Sequence, residues 1–255
     1  MNIGLAFYTV SAVVSKPDYP EAHGKIRAMG YRFVETGFPL PCPLPEYIKL
    51  LKVADLKTSD VHIPLETIQK DFAEIVKTMH SLECKYVTIP HPCSTPHSTE
   101  DDWKRLAQGA DEAGKKLAGE GLVLQYHNHH VEFQRYGGRT VMELLYSMTD
   151  PNYLKAQIDT HWVARGGGSP ASWIRRMKGR IDQVHFKDMY LNEKLEPIFA
   201  VPGEGNLDWP GIVAACGDCG VKYCIVEVDP NPYTPDPMNA CERGYKNLKK
   251  MKLAE

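Results

Sequence analysis

Leu124-Gln-Tyr-His-Asn-His-His-Val-Glu-Phe133 puts three histidines, an asparagine and a glutamate directly behind a short apolar run that begins at Leu122. Leu122, Val123, Leu124 and Tyr126 suit a buried strand, and such a strand holds this much imidazole and carboxylate only where hydrogen bonds, water or a metal satisfy them. The stretch reads as a strand that ends in chemistry.

Outward from it, strand-like and helix-like runs alternate, which is the signature of βαβ units wound on a parallel sheet. The strand candidates are Ile3–Tyr8, Tyr31–Glu35, Thr58–Ile63, Lys85–Ile89, Leu122–Asn128, Leu154–Asp159, Asp182–Phe186 and Lys222–Val228. Helices are expected to begin near Pro20, Leu44, Leu65, Glu100, Arg139, Pro170, Asp208 and Pro237. Ser169-Pro170 supplies an N-cap with proline at the first helical position, and Thr99 with Asp102 has the spacing of a capping box. Eight such units in 255 residues, with no linker or low-complexity segment between them, predict a closed (β/α)8 TIM barrel, one domain over 1–255, in preference to an open sheet.

A barrel of this kind gathers its site at the C-terminal ends of its strands. The reactive residues of this chain fall there: Glu35, His62, His91, His127, His129, Asp159, His185 and Glu227. Residues two apart on a strand share a face, so Gln183, His185 and Lys187 separate from Val184 and Phe186, as Gln157 and Asp159 separate from Ala156 and Ile158. The polar sets are expected to point into the barrel.

Composition narrows the partner. Hydrophobic residues make up 43% and charged residues 24%, ordinary for a soluble globular protein. A net charge of −2 offers no basic field for a phosphate backbone, which argues against nucleic acid. No run approaches the length of a membrane span and the N-terminus lacks the basic start of a signal peptide, so no membrane partner and a cytoplasmic location are expected. Seven cysteines, an odd number, read as reduced thiols. Cys216-Gly-Asp-Cys219 reads as a pair of helix neighbours, because no second CxxC or nearby histidine completes a zinc site.

Glu132, Asp159, His185 and Glu227, from four successive strands, make a hard, mostly oxygen donor set that suits Mn²⁺, Mg²⁺, Co²⁺ or Zn²⁺ and leaves positions open for substrate oxygens. Without a cation, so many charges at one face would repel one another. Glu35, His62, His91 and His129 are read as lining the pocket, with a hydrogen-bonded barrel rim as the plainer alternative. His127 and Asn128 are expected to orient Glu132. Lys187 either assists an oxyanion or pairs with Asp188. Trp162 and Trp209 either stack on a sugar ring or simply pack, and Gly166–Gly168, Gly203 and Gly205 read as loop hinges.

Tyr126-His-Asn-His-His-Val-Glu-Phe133, Asp159-Thr-His-Trp162 with Gly166-Gly-Gly168, Val184-His-Phe-Lys-Asp188, Pro202-Gly-Glu-Gly-Asn-Leu-Asp-Trp209 and Ile225-Val-Glu-Val-Asp229 together resemble the sugar phosphate isomerase/epimerase family, with its xylose isomerase-like barrel. The resemblance covers essentially the whole chain. It implies a divalent metal, Mn²⁺ first, held by Glu132, Asp159, His185 and Glu227, and a small sugar or sugar phosphate as the partner. It also implies isomerase or epimerase chemistry through a metal-stabilised enediolate. Taking a proton from one face and returning it on the other needs two bases, for which Glu132 and Glu227 are the natural pair. A dehydratase of a keto-inositol or related keto-sugar shares the enolate step and then loses hydroxide. A more remote reading is an AP-endonuclease-like nuclease, for which His62 and His91 would be extra ligands, although Asp159-Thr-His161 departs from the spacing of those enzymes. A non-catalytic sugar-binding barrel would be expected to lack one of the four ligands. A homo-oligomer is compatible with all of these.

Overall fold

β-branched and aromatic residues buried on both faces form the strands of a computed structural model that describes residues 1–11, 13–90 and 98–252. Among these residues, β1 (Asn2–Ala6), β2 (Phe33–Gly37), β3 (Lys57–His62), β4 (Tyr86–Ile89), β5 (Val123–His127), β6 (Leu154–Asp159), β7 (Ile181–Phe186) and β8 (Tyr223–Val226) close a parallel barrel. Each strand lies beside its neighbour in sequence, and β1 bonds both β2 and β8, so the sheet has no free edge. The predicted TIM barrel is what the chain forms, with strand bounds within about two residues of those expected.

Helix starts are also close to expectation. Leu44–Ala54, Leu65–Lys70, Glu100–Gly119, Pro170–Arg176 and Pro237–Lys250 begin where the start signals put them. The Thr99 hydroxyl accepts from Asp102 N while the Asp102 carboxylate accepts from Thr99 N, a complete capping box. The helix expected near Arg139 starts instead at Val141, because Arg135–Tyr136 and Arg139–Thr140 pair first as a small hairpin. A helix not anticipated, Thr160–Arg165, follows β6 directly and is capped by Asp159.

Leu124 and Tyr126 of β5, and Val184 and Phe186 of β7, belong to the apolar core. The opposite parity carries a buried polar layer inside the barrel. Thr88 Oγ1 donates to Asp60 Oδ2 at 2.8 Å, Gln157 Nε2 donates to Asp60 Oδ2 at 2.8 Å and to Gln183 Oε1 at 3.0 Å, and Gln183 Nε2 reaches Ser59 O at 3.1 Å. Buried amides and carboxylates of this kind are tolerated because they satisfy one another. They form the floor on which the strand-end groups stand.

Cys216 is buried and Cys219 half-buried on the helix Trp209–Cys219, and the described cysteines are free thiols, so the helix-neighbour reading of the CxxC holds. Among the described residues no helix is long and apolar enough to cross a membrane.

Candidate metal centre and substrate cavity

His127, Asp159, His185 and Glu227, at the ends of β5, β6 and β7 and just past β8, are all buried and present donor atoms within 4.8 Å of one another. Each is aimed by a partner behind it. His127 Nδ1 lies 3.1 Å from Gln157 Oε1, so its N–H belongs there and Nε2 is left bare, 3.8 Å from Asp159 Oδ2. Asp159 uses Oδ1 to accept from Trp162 N at 2.8 Å, and its own N–H donates to Asn128 Oδ1 at 3.0 Å. Its Oδ2 is buried without a hydrogen-bond partner. His185 Nε2 sits 2.6 Å from Glu35 Oε2, which leaves Nδ1 to face Glu227 Oε2 at 2.8 Å.

A buried carboxylate oxygen without a partner, opposite a bare imidazole nitrogen, is costly in an apolar medium. A divalent cation removes that cost, and two imidazoles with two carboxylates are an ordinary donor set for one. Without the cation the charges are mixed: against burial, Glu35 and Glu227 hold His185 well above the usual histidine range, so a metal binding there would displace its second proton. Burial, reinforced by His185, His129 and His62, keeps His127 well below the usual histidine range and therefore neutral, as a ligand must be. Burial pushes Asp159 up to about 7 against the pull of Lys187. Against burial, Lys187 and His185 hold Glu227 well below the usual carboxylate range.

Glu132 stands apart from this group, which corrects the expected ligand set and the expected pairing of Glu132 with Glu227 as opposed bases. Its Oε1 accepts from the Tyr126 hydroxyl at 2.6 Å and its Oε2 from His129 N at 2.8 Å. The reason lies in the path of the chain. β5 ends at His127, and the 3-10 turn Val131–Phe133 swings Glu132 back to the side of the sheet on which Tyr126 packs in the core. His127, expected to support Glu132, stands in its place among the donors, and Asn128 supports Asp159. Strand parity carried this signal, since Gln125 and His127 alternate with Leu124 and Tyr126 as Gln183 and His185 alternate with Val184 and Phe186.

Burial raises Glu132 from 4.5 to about 7. Between those values the native state holds a proton that the unfolded chain has released, so this residue should make the protein less stable as pH rises from about 5 to 7, by roughly 1–3 kcal/mol. Glu132→Gln keeps the shape without the titration. It should make that stretch of the denaturation midpoint against pH less steep, with Asp159 and Asp229 supplying what slope remains. It should leave Mn²⁺ affinity unchanged; a variant that lost Mn²⁺ would return Glu132 to the ligand set.

Two of the four donors, His127 and Glu227, open onto a cavity of about 470 Å³ that Glu35, His62 and His129 also line. Glu35 serves His185 as well as the cavity, and its Oε2 also lies 3.0 Å from His62 Nε2. Against burial, His185 and His62 hold Glu35 down at about 2. Against burial, Glu35 and Asp60 raise His62 to about 10. The half-buried His129 stands 5.2 Å from the ring of Trp162. His91 lies outside the described residues.

Lys187 is 2% exposed and does not pair with Asp188. Its Nζ meets Asp229 Oδ1 at 2.7 Å and Glu227 Oε1 at 3.4 Å, over the rings of Trp162 and Phe199. Asp188 is instead spent on the loop after β7, accepting from Gly203 N and Gly205 N at 2.9 Å each and from Trp209 Nε1 at 2.6 Å. Trp209 therefore packs and braces that loop. Gly166 and Gly168 are seats for Phe133, since a Cβ on either would lie 2.4 or 2.7 Å from its ring. Asp60 and Asp229 were not singled out from the sequence, although Asp60 lies two residues before His62 on β3 and so shares its face.

A family model described as a xylose isomerase-like TIM barrel matches residues 23–251. The chain is similar to an inosose dehydratase of Lacticaseibacillus casei, 24% identical over 90% of this chain and 88% of that one. Among solved structures it is similar to a sugar phosphate isomerase/epimerase from Parabacteroides distasonis, with a TM-score of 0.85 at 20% identity over 100% of this chain and 95% of that one. It is also similar to a D-psicose 3-epimerase from Clostridium cellulolyticum H10, with a TM-score of 0.73 at 16% identity over 99% of each chain.

Proposed function

The chain belongs to the xylose isomerase-like TIM barrel family, and on that premise we propose a divalent-metal-dependent enzyme that removes the proton beside the carbonyl of a small keto-sugar or keto-cyclitol, with loss of water as the outcome. The observation that carries this reading is the partnerless, buried Oδ2 of Asp159 among the donors of His127, His185 and Glu227. These four residues would hold the cation, with Mn²⁺ the first choice. When bound, it supplies Lewis-acid polarisation of a substrate carbonyl.

The protein's own groups do the rest. Glu227 lines the cavity and is kept ionised by Lys187 and His185, so it is the carboxylate placed to take the α-proton. His62 lines the same cavity and carries a proton at neutral pH, so it is placed to protonate the departing hydroxyl. The C–H electrons become the new C=C bond as the C–O bond breaks, and the hydroxyl leaves as water. Glu35 fixes the ring of His185 from behind.

Two features favour dehydration over epimerisation. Epimerisation needs a second base across the substrate, and Glu132 faces away while Glu35 is committed to His185 and His62. The relative from L. casei is named an inosose dehydratase. Incubating the Mn²⁺-loaded protein with an inosose and with D-fructose in D₂O, followed by proton NMR, tests the reading. The expected result is loss of the α-proton signal with appearance of a dehydrated product. A deuterated epimer or isomer would make the enzyme an epimerase or isomerase, and no exchange with any keto-sugar would overturn the proposal.

A further inference from the structure

Resting on that reading, we infer that the substrate is an uncharged polyol ketone, carrying neither a phosphate ester nor a carboxylate. Besides its imidazoles and carboxylates the cavity is lined mainly by Phe7, Tyr8, Tyr19 and Phe38 with Pro39 and Pro41. Ring faces and proline edges pack on C–H surfaces, and the hydroxyls among them, those of Tyr8, Tyr19, Ser11 and Thr36, are neutral groups that suit a polyol and carry no charge to balance an anion. Among the described residues no lysine or arginine lines this cavity. The undescribed positions, Ala12, 91–97 and 253–255, contain neither residue type.

Cations nearby are already used. Lys187 is held by Asp229 and Glu227, and His62 lies between Glu35 at 3.0 Å and Asp60 at 3.3 Å. Arg165 is exposed over the ring of Trp162, and Lys16 lies in a separate surface groove beyond Tyr19. Meanwhile the carboxylates of Glu227 and of the histidine-bound Glu35 are among the groups that line the cavity. A phosphate or carboxylate away from the four donors would lose its hydration, face carboxylates and find no fork of donors in return. A neutral ring or chain rich in hydroxyls meets imidazoles and carboxylates together with apolar rings.

Calorimetry on the Mn²⁺-loaded protein tests this apart from turnover, with two pairs of probes: D-fructose against D-fructose 6-phosphate, and an inosose against 3-dehydroshikimate. We expect at least one neutral member to bind about tenfold or more tighter than its charged counterpart, the loss expected for an unpaired buried charge. Tyr8, 59% exposed at the cavity edge, provides the converse test. Tyr8→Arg should strengthen binding of D-fructose 6-phosphate over the unmodified protein while leaving D-fructose no tighter. Tighter binding of either charged probe by the unmodified protein, or binding of none of the four, overturns the inference. Binding of a neutral probe without α-proton exchange would leave the inference standing and remove the proposed reaction. Exchange confined to the phosphate ester would do the reverse.

Discussion

Replacing Asp159 by alanine should cost the protein its bound metal and lower turnover by about 10³-fold or more, since a Lewis-acid centre supplies several kcal/mol of transition-state stabilisation. Asp159 brings to the group the one carboxylate oxygen that has no other partner. Its second role needs separating from the first, because Oδ1 caps the helix Thr160–Arg165 through Trp162 N. Asp159→Asn makes that separation. An asparagine oxygen still caps the helix, whereas an amide NH₂ in place of Oδ2 turns a donor, not a lone pair, toward the cation. The asparagine variant should therefore melt close to the wild type without metal and yet fail to bind Mn²⁺ in calorimetry. Wild-type affinity in either variant would remove Asp159 from the site.

Lys187→Met should destabilise the metal-free protein by about 3–5 kcal/mol, the usual loss when one partner of a buried ion pair is deleted. Glu227 and Asp229 would be left facing each other with no ammonium between them. For a chain of this size that corresponds to a fall of roughly 10 °C in melting temperature. Mn²⁺ should restore part of the loss, because a cation beside Glu227 neutralises one of the two carboxylates. The check is the melting temperature of both proteins with and without saturating Mn²⁺. An equal fall in the two conditions would mean that Glu227 is not beside the metal.

The barrel was legible because its signals are local: eight strand-like runs, start signals at Ser169-Pro170 and Thr99, and polar residues at strand ends. Three members of the donor group, Asp159, His185 and Glu227, were legible for the same reason, since each sits within a residue of a strand end and on the inward parity. Glu132 misled because it is a glutamate in the right motif but beyond the strand, where a turn decides direction and strand alternation no longer applies. His127 was on the inward parity all along. The bonds from Gln157 to Asp60 and from Gln183 to Ser59 depend on which groups from non-adjacent strands meet inside the barrel. That meeting is a property of closure, and no local pattern contains it. The role of Lys187 was left between two partners for the same reason. Its neighbour Asp188 turns to the loop at Gly203–Trp209, and its true partners, Glu227 and Asp229, follow the end of the neighbouring strand β8.

The most direct test of the central claim is a crystal of the protein grown with Mn²⁺ and measured at the manganese absorption edge. The account predicts a single strong anomalous peak among His127, Asp159, His185 and Glu227, with the Glu132 carboxylate still on Tyr126 and the backbone of His129. A peak bonded to Glu132 in place of His127, or no peak at the ends of these strands, would contradict it.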